Sequence, residues 1–547
     1  MSPLTLIANT LKINRLWLAL GAGALSTLAQ PPVFFWPVLF ITLPLMVFLL
    51  DDLVKEQGEA RAGHRIHLLR KAALMGWMFG FGFFMPTLYW IGSAFLVEAE
   101  KFAWALPFAV TLLPAALAVF YAFAFASAAL IWTKGPERLV IFAFVLFMAD
   151  WLRGHCFTGF PWNLFGHSLT GNAALMQSVS LFGIYGLSAL ACYIFTSPAC
   201  LLDRSNNNAI KLNRPLCCAP LVLGLFLLAS LFGYGQWRLI KAGPADFVEN
   251  IELILVQPNI PQQEKVNPAL RAKAFERVLK LTQEALKAPR SPATNNRLII
   301  WPETAIPFAL NKSEPIRKIL ANQLGPQDQL ITGAYHVQNL IDKSSNDRAY
   351  QVYNSLYVIN SNGKITGLYD KHHLVPFGEY LPFPGLFNTI GLEALVRLRG
   401  GFTAGSLPKT MLLTDAPAFM PYICYEAIFP FKAPAGPSVK WLLNISNDGW
   451  FGHTAGPYQH AHLVRLRALE AGLPIIRVVN GGISGVFDSL ARPMVTSKLD
   501  KTEILKTKLP KAMTYNQSLG YGIFYALFIL MVIGILISTI KFFDKTT

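Results

Sequence analysis

The chain has 547 residues, 53% of them hydrophobic and 14% charged, with a net charge of +16; soluble domains carry about a quarter charged residues. The deficit is local, because long apolar runs fill residues 16–240 and 520–540 around a stretch of ordinary soluble composition. The positive charge does not mark a nucleic-acid binder, since much of the Lys and Arg excess sits in short loops between apolar runs, the placement that sets membrane orientation.

A spanning helix needs about 20 mostly apolar residues. Eight runs are candidates: 16–31, 34–50, 72–94, 103–132, 138–152, 174–202, 217–239 and 520–540. The run at 138–152 is short and ends in Asp150-Trp151. Lys12 and Arg15 precede the first run as they would a signal peptide, but further apolar runs follow at once, so it reads as a span. With a cytoplasmic N-terminus, Lys12, Arg15, Lys55, Arg61, Arg65, Arg70, Lys71, Lys134, Arg138, Arg204, Lys211, Arg214, Lys541 and Lys545 all lie inside. The short outer loops hold only Lys101 and Arg153. This asymmetry predicts seven spans over 1–240, an outer domain over 241–518, and an eighth span with a cytoplasmic tail over 519–547. Trp162, in the outer loop from Phe157 to Phe165, is expected to anchor at the interface, and Asp150 to lie at the outer surface without a role.

In the outer domain, 251–256 reads as a buried strand and 267–288 as a helix after Asn267-Pro268. A strand at 297–301, a helix at 313–324 and a strand at 330–335 follow. Runs 354–360 and 364–370 flank Ser361-Asn362-Gly363, a hairpin turn. Strands at 419–424, 441–446 and 475–480, with a helix at 458–472, complete an alternating pattern that predicts an α/β domain.

Three groups sit where predicted strands end: Glu303, Lys371 and Cys424. Of six cysteines, only Cys424 lies in the outer domain. It reads as a buried core residue, a disulfide partner for Cys156 in an outer loop, or a reactive thiol. Glu303 and Lys371 alone would each read as solvated loop residues; together the three complete a chemical set. A thiolate attacks carbonyls, a nearby carboxylate takes its proton, and an ammonium favours the thiolate and the oxyanion that follows. His372 and His373 follow Lys371, and only His373 would share its direction in an extended chain, as a supporting or structural residue.

At these residues the chain resembles the nitrilase superfamily, through Trp301-Pro302-Glu303-Thr304, Tyr369-Asp370-Lys371-His372-His373-Leu374-Val375-Pro376-Phe377-Gly378-Glu379 and Ile423-Cys424-Tyr425-Glu426. With eight spans it is similar to the bacterial apolipoprotein N-acyltransferase family. Val256-Gln257-Pro258-Asn259-Ile260-Pro261-Gln262, Ser446-Asn447-Asp448-Gly449-Trp450-Phe451-Gly452 and Arg465-Leu466-Arg467-Ala468-Leu469-Glu470 extend that likeness over nearly the whole chain. The resemblance implies a nitrilase-like αββα sandwich mounted on an eight-helix transmembrane bundle, in the bacterial inner membrane with its catalytic domain in the periplasm.

It also implies roles. Glu303 would be the base, Lys371 the oxyanion stabiliser and Cys424 the acyl carrier; Glu379 would position the lysine or a proton, and Tyr425 and Glu426 would shape the pocket. The reaction implied is a ping-pong transfer from a phospholipid, typically phosphatidylethanolamine, through a Cys424 thioester to the α-amine of S-diacylglyceryl-cysteine in an apolipoprotein, with no metal or organic cofactor. One departure is Val266, where the family commonly has tryptophan. Residues 381–402, with Arg397 and Arg399 to meet phosphate, read equally as an arm dipping into the interface or as an ordinary loop. Trp450-Phe451 reads as a second apolar contact or a packed turn at the rim. A membrane-tethered amide hydrolase shares the same acyl-enzyme and is the alternative activity. A transporter would need polar or broken spans, for which the runs offer few candidates.

Overall fold

Alternate residues of a strand face opposite ways, and the strand Phe247–Gln257 uses both faces for apolar side chains. Ile251, Leu253 and Leu255 join one core, Ile254 and Val256 another. Such a strand belongs in the middle of a layered structure. The computed structural model describes residues 14–57, 62–133, 135–202, 214–290, 294–339, 350–382, 385, 401–430 and 438–513. The chain divides into two units, one taking Met1–Gly92, Ala105–Gly243 and Asn516–Thr547, the other Ser93–Trp104 and Pro244–Tyr515.

The first unit is helical. Among the described residues, five helical runs are long and apolar enough to cross a membrane: Trp36–Glu56, Arg65–Leu96, Ala99–Leu130, Val179–Leu201 and Cys218–Ala242. Arg15–Ala29 is apolar but shorter. Glu137–His155 is a helix of 19 residues that carries Glu137, Arg138, Asp150 and Arg153. The candidate span at 520–540 lies outside the described residues. Helices approach closely where side chains are small: a Cβ on Gly82 would lie 2.2 Å from the Leu20 carbonyl oxygen, and one on Gly76 2.4 Å from that of Tyr121.

Two expectations for this unit are corrected. Asp150 is wholly buried, not at a surface. It pairs with Arg153 at 3.0 Å and accepts from the Tyr121 hydroxyl at 2.9 Å and the Phe165 N–H at 3.1 Å. Trp162 is no interfacial anchor: it is 2% exposed, with its ring 5.8 Å from that of Phe160 and 5.0 Å from that of Trp90. Arg153 explains both, since its guanidinium also donates to the Trp162 carbonyl at 2.6 Å and so folds the loop inward.

The second unit holds two sheets. β1 (Phe247–Gln257), β2 (Thr294–Ile300), β3 (Ile306–Ala309), β4 (Gln329–Asn339), β5 (Tyr350–Asn360) and β6 (Ile365–Asp370) build the first sheet with β13 (Glu503–Pro510). Its order is β13-β1-β2-β4-β5-β6, with β3 on β4. The second is β12-β11-β10-β9-β8-β7, made from β7 (Met411–Leu413), β8 (Ala416–Ile423), β9 (Val439–Asn447), β10 (Ile475–Asn480), β11 (Gly485–Phe487) and β12 (Pro493–Thr496). Leu253, Leu255, Leu298 and Ile300 of one sheet meet Phe419, Ile423, Trp441 and Leu443 of the other in a shared core. The helices Arg271–Lys287 and Glu314–Ala321 cover the far face of the first sheet through Phe275, Val278 and Leu320. Gly456–Ala471, which buries Leu463, Val464, Leu466 and Leu469, packs on the second.

β1, β2 and β4 run parallel, as do β8, β9 and β10. Parallel strands gather their carboxyl ends at one edge, where α/β folds place sites. Leu443 is fully buried between the sheets. Leu443→Ala is expected to cost about 3 kcal/mol of stability, read as a lowered denaturant midpoint of the detergent-solubilised protein; a change under about 1 kcal/mol would remove Leu443 from the shared core.

Candidate active site

Each predicted strand-end residue is fixed by backbone pairing. Beyond β2 the chain stays on β4, with the Trp301 N–H donating to the Ile331 carbonyl at 2.8 Å and the Gly333 N–H to that of Pro302 at 3.2 Å. Glu303 follows immediately and is 6% exposed. Lys371 leaves β6 with its N–H on the Asn354 carbonyl at 2.8 Å. Cys424 follows β8, whose last residue Ile423 lies opposite Ile445 of β9. Cys424 has φ of 54°, left-handed for a residue with a Cβ. Such conformations persist only where the surroundings impose them, and they cluster at active sites.

The structure brings these residues together. Lys371 Nζ lies 2.8 Å from Glu379 Oε2 and 3.9 Å from Glu303 Oε1. Asn354 Nδ2 bridges both carboxylates, donating to Glu303 Oε1 at 2.7 Å and to Glu379 Oε1 at 3.0 Å. Glu379 is itself fixed, since its Oε2 accepts the Val375 N–H at 2.8 Å. Lys265 Nζ donates to the Glu303 carbonyl at 3.1 Å.

The charges follow from burial and neighbours. Burial alone would lower the Lys371 ammonium, but Glu379, Cys424 and Glu303 outweigh it and raise it, so it stays cationic. Burial raises Glu303 against the pull of Lys371, and Glu379 adds to the rise. Burial pushes the Cys424 thiol up to about 12, with Glu303 adding and Lys371 opposing. Burial lowers Lys265 to about 8, against the attraction of Glu303. A thiol so placed is protonated at neutral pH. To act as a nucleophile such a thiol must lose its proton, and a nearby carboxylate can take it.

Glu426 holds the Cys424 turn to the loop after Lys371. Its Oε1 accepts from the Tyr369 hydroxyl at 2.7 Å and from the N–H groups of His372 and His373 at 2.7 and 3.0 Å. Its Oε2 accepts the Ile423 N–H at 2.7 Å. The rings of His373, Tyr425 and Phe429 cluster beside it, His373 4.2 Å and Tyr425 5.1 Å from Phe429. Trp450 sits, partly exposed, in the turn Asp448–Trp450 after β9. Val266 ends the short helix Gln262–Val266. Arg397 and Arg399 lie outside the described residues, as does most of the arm at 381–402. Cys156 and Cys424 are free thiols, which removes the disulfide reading.

Sequence reasoning missed Asn354 and the group behind Cys424. Ser446 Oγ donates to Asp448 Oδ1 at 2.8 Å, the His460 ring meets the same oxygen at 2.9 Å, and Arg477 binds Asp448 Oδ2 at 2.6 Å. The available signal was a polar residue inside an apolar strand, as with Asn354 in Tyr350–Asn360 and Arg477 in Ile475–Asn480. Among the described residues, no group of three or more His, Cys, Asp or Glu is placed to hold a metal ion.

Residues 255–517 match the family described as carbon-nitrogen hydrolase, so the second unit is a nitrilase-type hydrolase fold. Residues 22–196 match the apolipoprotein N-acyltransferase N-terminal domain. The chain is 42% identical over 498 residues to "Apolipoprotein N-acyltransferase" of Rhodopseudomonas palustris, covering 91% of this chain and 90% of that one. It is also 42% identical to the protein of that name from Bradyrhizobium diazoefficiens, again over 91% and 90%, and 40% identical to that of Brucella melitensis, over 89% and 88%. An amidase from Nesterenkonia sp. matches with TM-score 0.33 and 14% identity over 49% of this chain and 94% of that one. The chain belongs to the apolipoprotein N-acyltransferase family, membrane enzymes with a nitrilase-type domain.

Two outcomes follow from this geometry. A Cβ on Gly333 would lie 2.4 Å from Thr304 N and 2.7 Å from Glu303 Cα. Gly333→Ala should therefore displace Glu303 and cut acylation of Cys424 by roughly tenfold or more, about the effect expected of a misplaced base; an unchanged rate would show that the segment accommodates the methyl. Because Glu303 is raised from its ordinary 4.5 and must be ionised to accept a proton, acylation should fall as pH drops through that raised value. The limb is read from the pH profile of kcat/KM, and a limb at or below the ordinary glutamate range would reassign the base.

Proposed function

We propose that the chain N-acylates apolipoproteins through a thioester on Cys424, with Glu303 as base and Lys371 as oxyanion stabiliser. The observation that carries this reading is the grouping of a buried ammonium, a raised carboxyl and a left-handed cysteine at the carboxyl edge of two facing sheets. Family membership supplies the reaction that such a group performs.

The first half-reaction takes an acyl chain from a phospholipid. Glu303 takes the Cys424 proton as sulfur attacks the sn-1 ester carbonyl. The oxyanion develops beside the Lys371 ammonium, whose position is set by Glu379. Fixed charge aimed at a developing oxyanion needs no reorganisation during reaction. Collapse breaks the ester C–O bond, and Glu303 returns the proton to the departing lysophospholipid oxygen.

The second half-reaction reverses these roles. The α-amine of an S-diacylglyceryl-cysteine attacks the thioester, its proton passes to Glu303, and Cys424 leaves. A thioester suits an amine acceptor better than a hydroxyl ester would, because sulfur is the better leaving group. Donor and acceptor both carry acyl chains, so an enzyme with apolar spans reaches them in the bilayer. Charge placement supports an inner-membrane orientation with the catalytic domain on the periplasmic side. Tyr425 would line the pocket beside the nucleophile, and Trp450, Arg397 and Arg399 would meet the lipid.

Incubation with phosphatidylethanolamine alone should add one acyl mass to Cys424, read by intact mass. Cys424→Ala should abolish adduct and transfer while leaving the protein inserted and folded, and Glu303→Gln should block adduct formation. Steady release of fatty acid with no accumulated adduct would favour an amide or ester hydrolase. Full transfer by the alanine variant would sink the thioester.

A further inference from the structure

The cysteine has a second set of neighbours that the Glu303–Lys371 chemistry does not use. β8 and β9 are parallel and paired Ile423 to Ile445, so Cys424 leaves the one strand where Ser446 continues the other. Ser446 is fully buried, and hydrogen bonding from its side-chain hydroxyl favours the ionised form of the thiol. The same hydroxyl donates to Asp448 Oδ1 at 2.8 Å.

Asp448 is fully buried. Burial would raise it, but Arg477 and His460 more than offset that and hold it down at about 2. It is therefore an anion throughout the working range, and an acceptor only. Arg477 binds its Oδ2 at 2.6 Å and also grips Asn444 Oδ1. Asn444 Nδ2 in turn donates to the carbonyls of Tyr422 and Cys424 at 3.3 Å each. The His460 ring, on the covering helix, meets Asp448 Oδ1 at 2.9 Å and faces the Cys424 carbonyl. Burial and Arg477 lower His460, against the attraction of Asp448. The charged groups facing the thiol are thus Glu303 and Lys371 from the first sheet and Asp448 from the second.

We propose that the Ser446 hydroxyl is a switchable hydrogen-bond partner of the Cys424 sulfur, held ready by Asp448, and that it stabilises the thiolate in both half-reactions. A hydroxyl has one proton and two acceptor sites. With the thiol protonated, that proton rests on Asp448 and the Ser446 oxygen presents a lone pair to sulfur. As Glu303 removes the thiol proton, the hydroxyl turns and donates to the thiolate. Asp448 Oδ1 keeps the His460 N–H, and Oδ2 keeps Arg477, so the carboxylate is not left bare. No bond in Ser446 breaks, and the departing proton resides on Glu303. The thiolate is nucleophile in the first half-reaction and leaving group in the second, so one donor lowers both barriers. Asp448, His460 and Arg477 act through Ser446 and through the backbone, and are positioning residues.

This inference rests on Cys424 being the nucleophile, and the two can be separated. The full-length protein in detergent would be treated with iodoacetamide, and modification read by mass on the peptide containing Cys424, at several pH values. Ser446→Ala and Ser446→Gly, which lack the hydroxyl, should lower the alkylation rate at a given pH about tenfold, the equivalent of one unit in thiol pKa. Both acyl-adduct formation and its discharge to an amine should slow. Ser446→Thr, which keeps the hydroxyl, should restore most of the rate. Profiles of the alanine and glycine variants that overlay the wild type would overturn the proposal, as would a threonine profile displaced as far as theirs. Full transfer by Cys424→Ala would instead defeat the nucleophile assignment, whatever Ser446 does.

Discussion

The Lys371 ammonium is 1% exposed, and withdrawing such a charge from water costs several kcal/mol unless neighbours compensate. Much of the site can be understood as that compensation. Glu379 forms the close ion pair at 2.8 Å, and the Val375 N–H and Asn354 hold Glu379 in place. Because Lys371 is engaged there, Glu303 stands off at 3.9 Å. The distance matters chemically. A glutamate in tight contact with the ammonium would be a weak base, whereas burial leaves Glu303 raised and able to accept a proton. Two carboxylates thus flank one lysine at distances that differ by about an ångström.

Glu426 extends the same logic to the backbone. Four donors converge on it, from Tyr369, His372 and His373 on both sides of Lys371 and from Ile423 just before Cys424. A carboxylate saturated in this way is a strut between the two sheets. The relative position of nucleophile and ammonium is thereby set by directional bonds, which apolar packing alone does not provide. Electrostatic catalysis depends on such fixed geometry.

The grouping of Glu303, Lys371 and Cys424 was legible because each terminates an apolar run that folds as a strand. The long central strands were readable for the same reason. β7, β11 and β12, of three or four residues, were not, because a run that short carries no periodic signal. β13 was missed because Lys506 and Lys508 interrupt its apolar pattern. Asn354 and Asp448 were not read as site residues because they meet partners distant in sequence; Asp448 binds Arg477, 29 positions on. In the helical unit, Asp150 and Trp162 were misplaced for a related reason. A charge and an indole near a span's end suggest an interface, and only the Arg153 bonds show that both are folded inward.

The pairing of β13 with β1 has an architectural meaning. Phe247, at the start of the domain, lies opposite Pro510 at its end, and the Lys511 N–H donates to the Asp246 carbonyl at 2.8 Å. Entry and exit are neighbouring threads of one ladder. A domain whose two ends meet behaves as a self-contained insertion. The last-made strand also seals an edge that the first strand would otherwise present to other chains. During synthesis the sheet therefore stays open at that edge until nearly the whole domain has emerged, and closing the seam completes the fold.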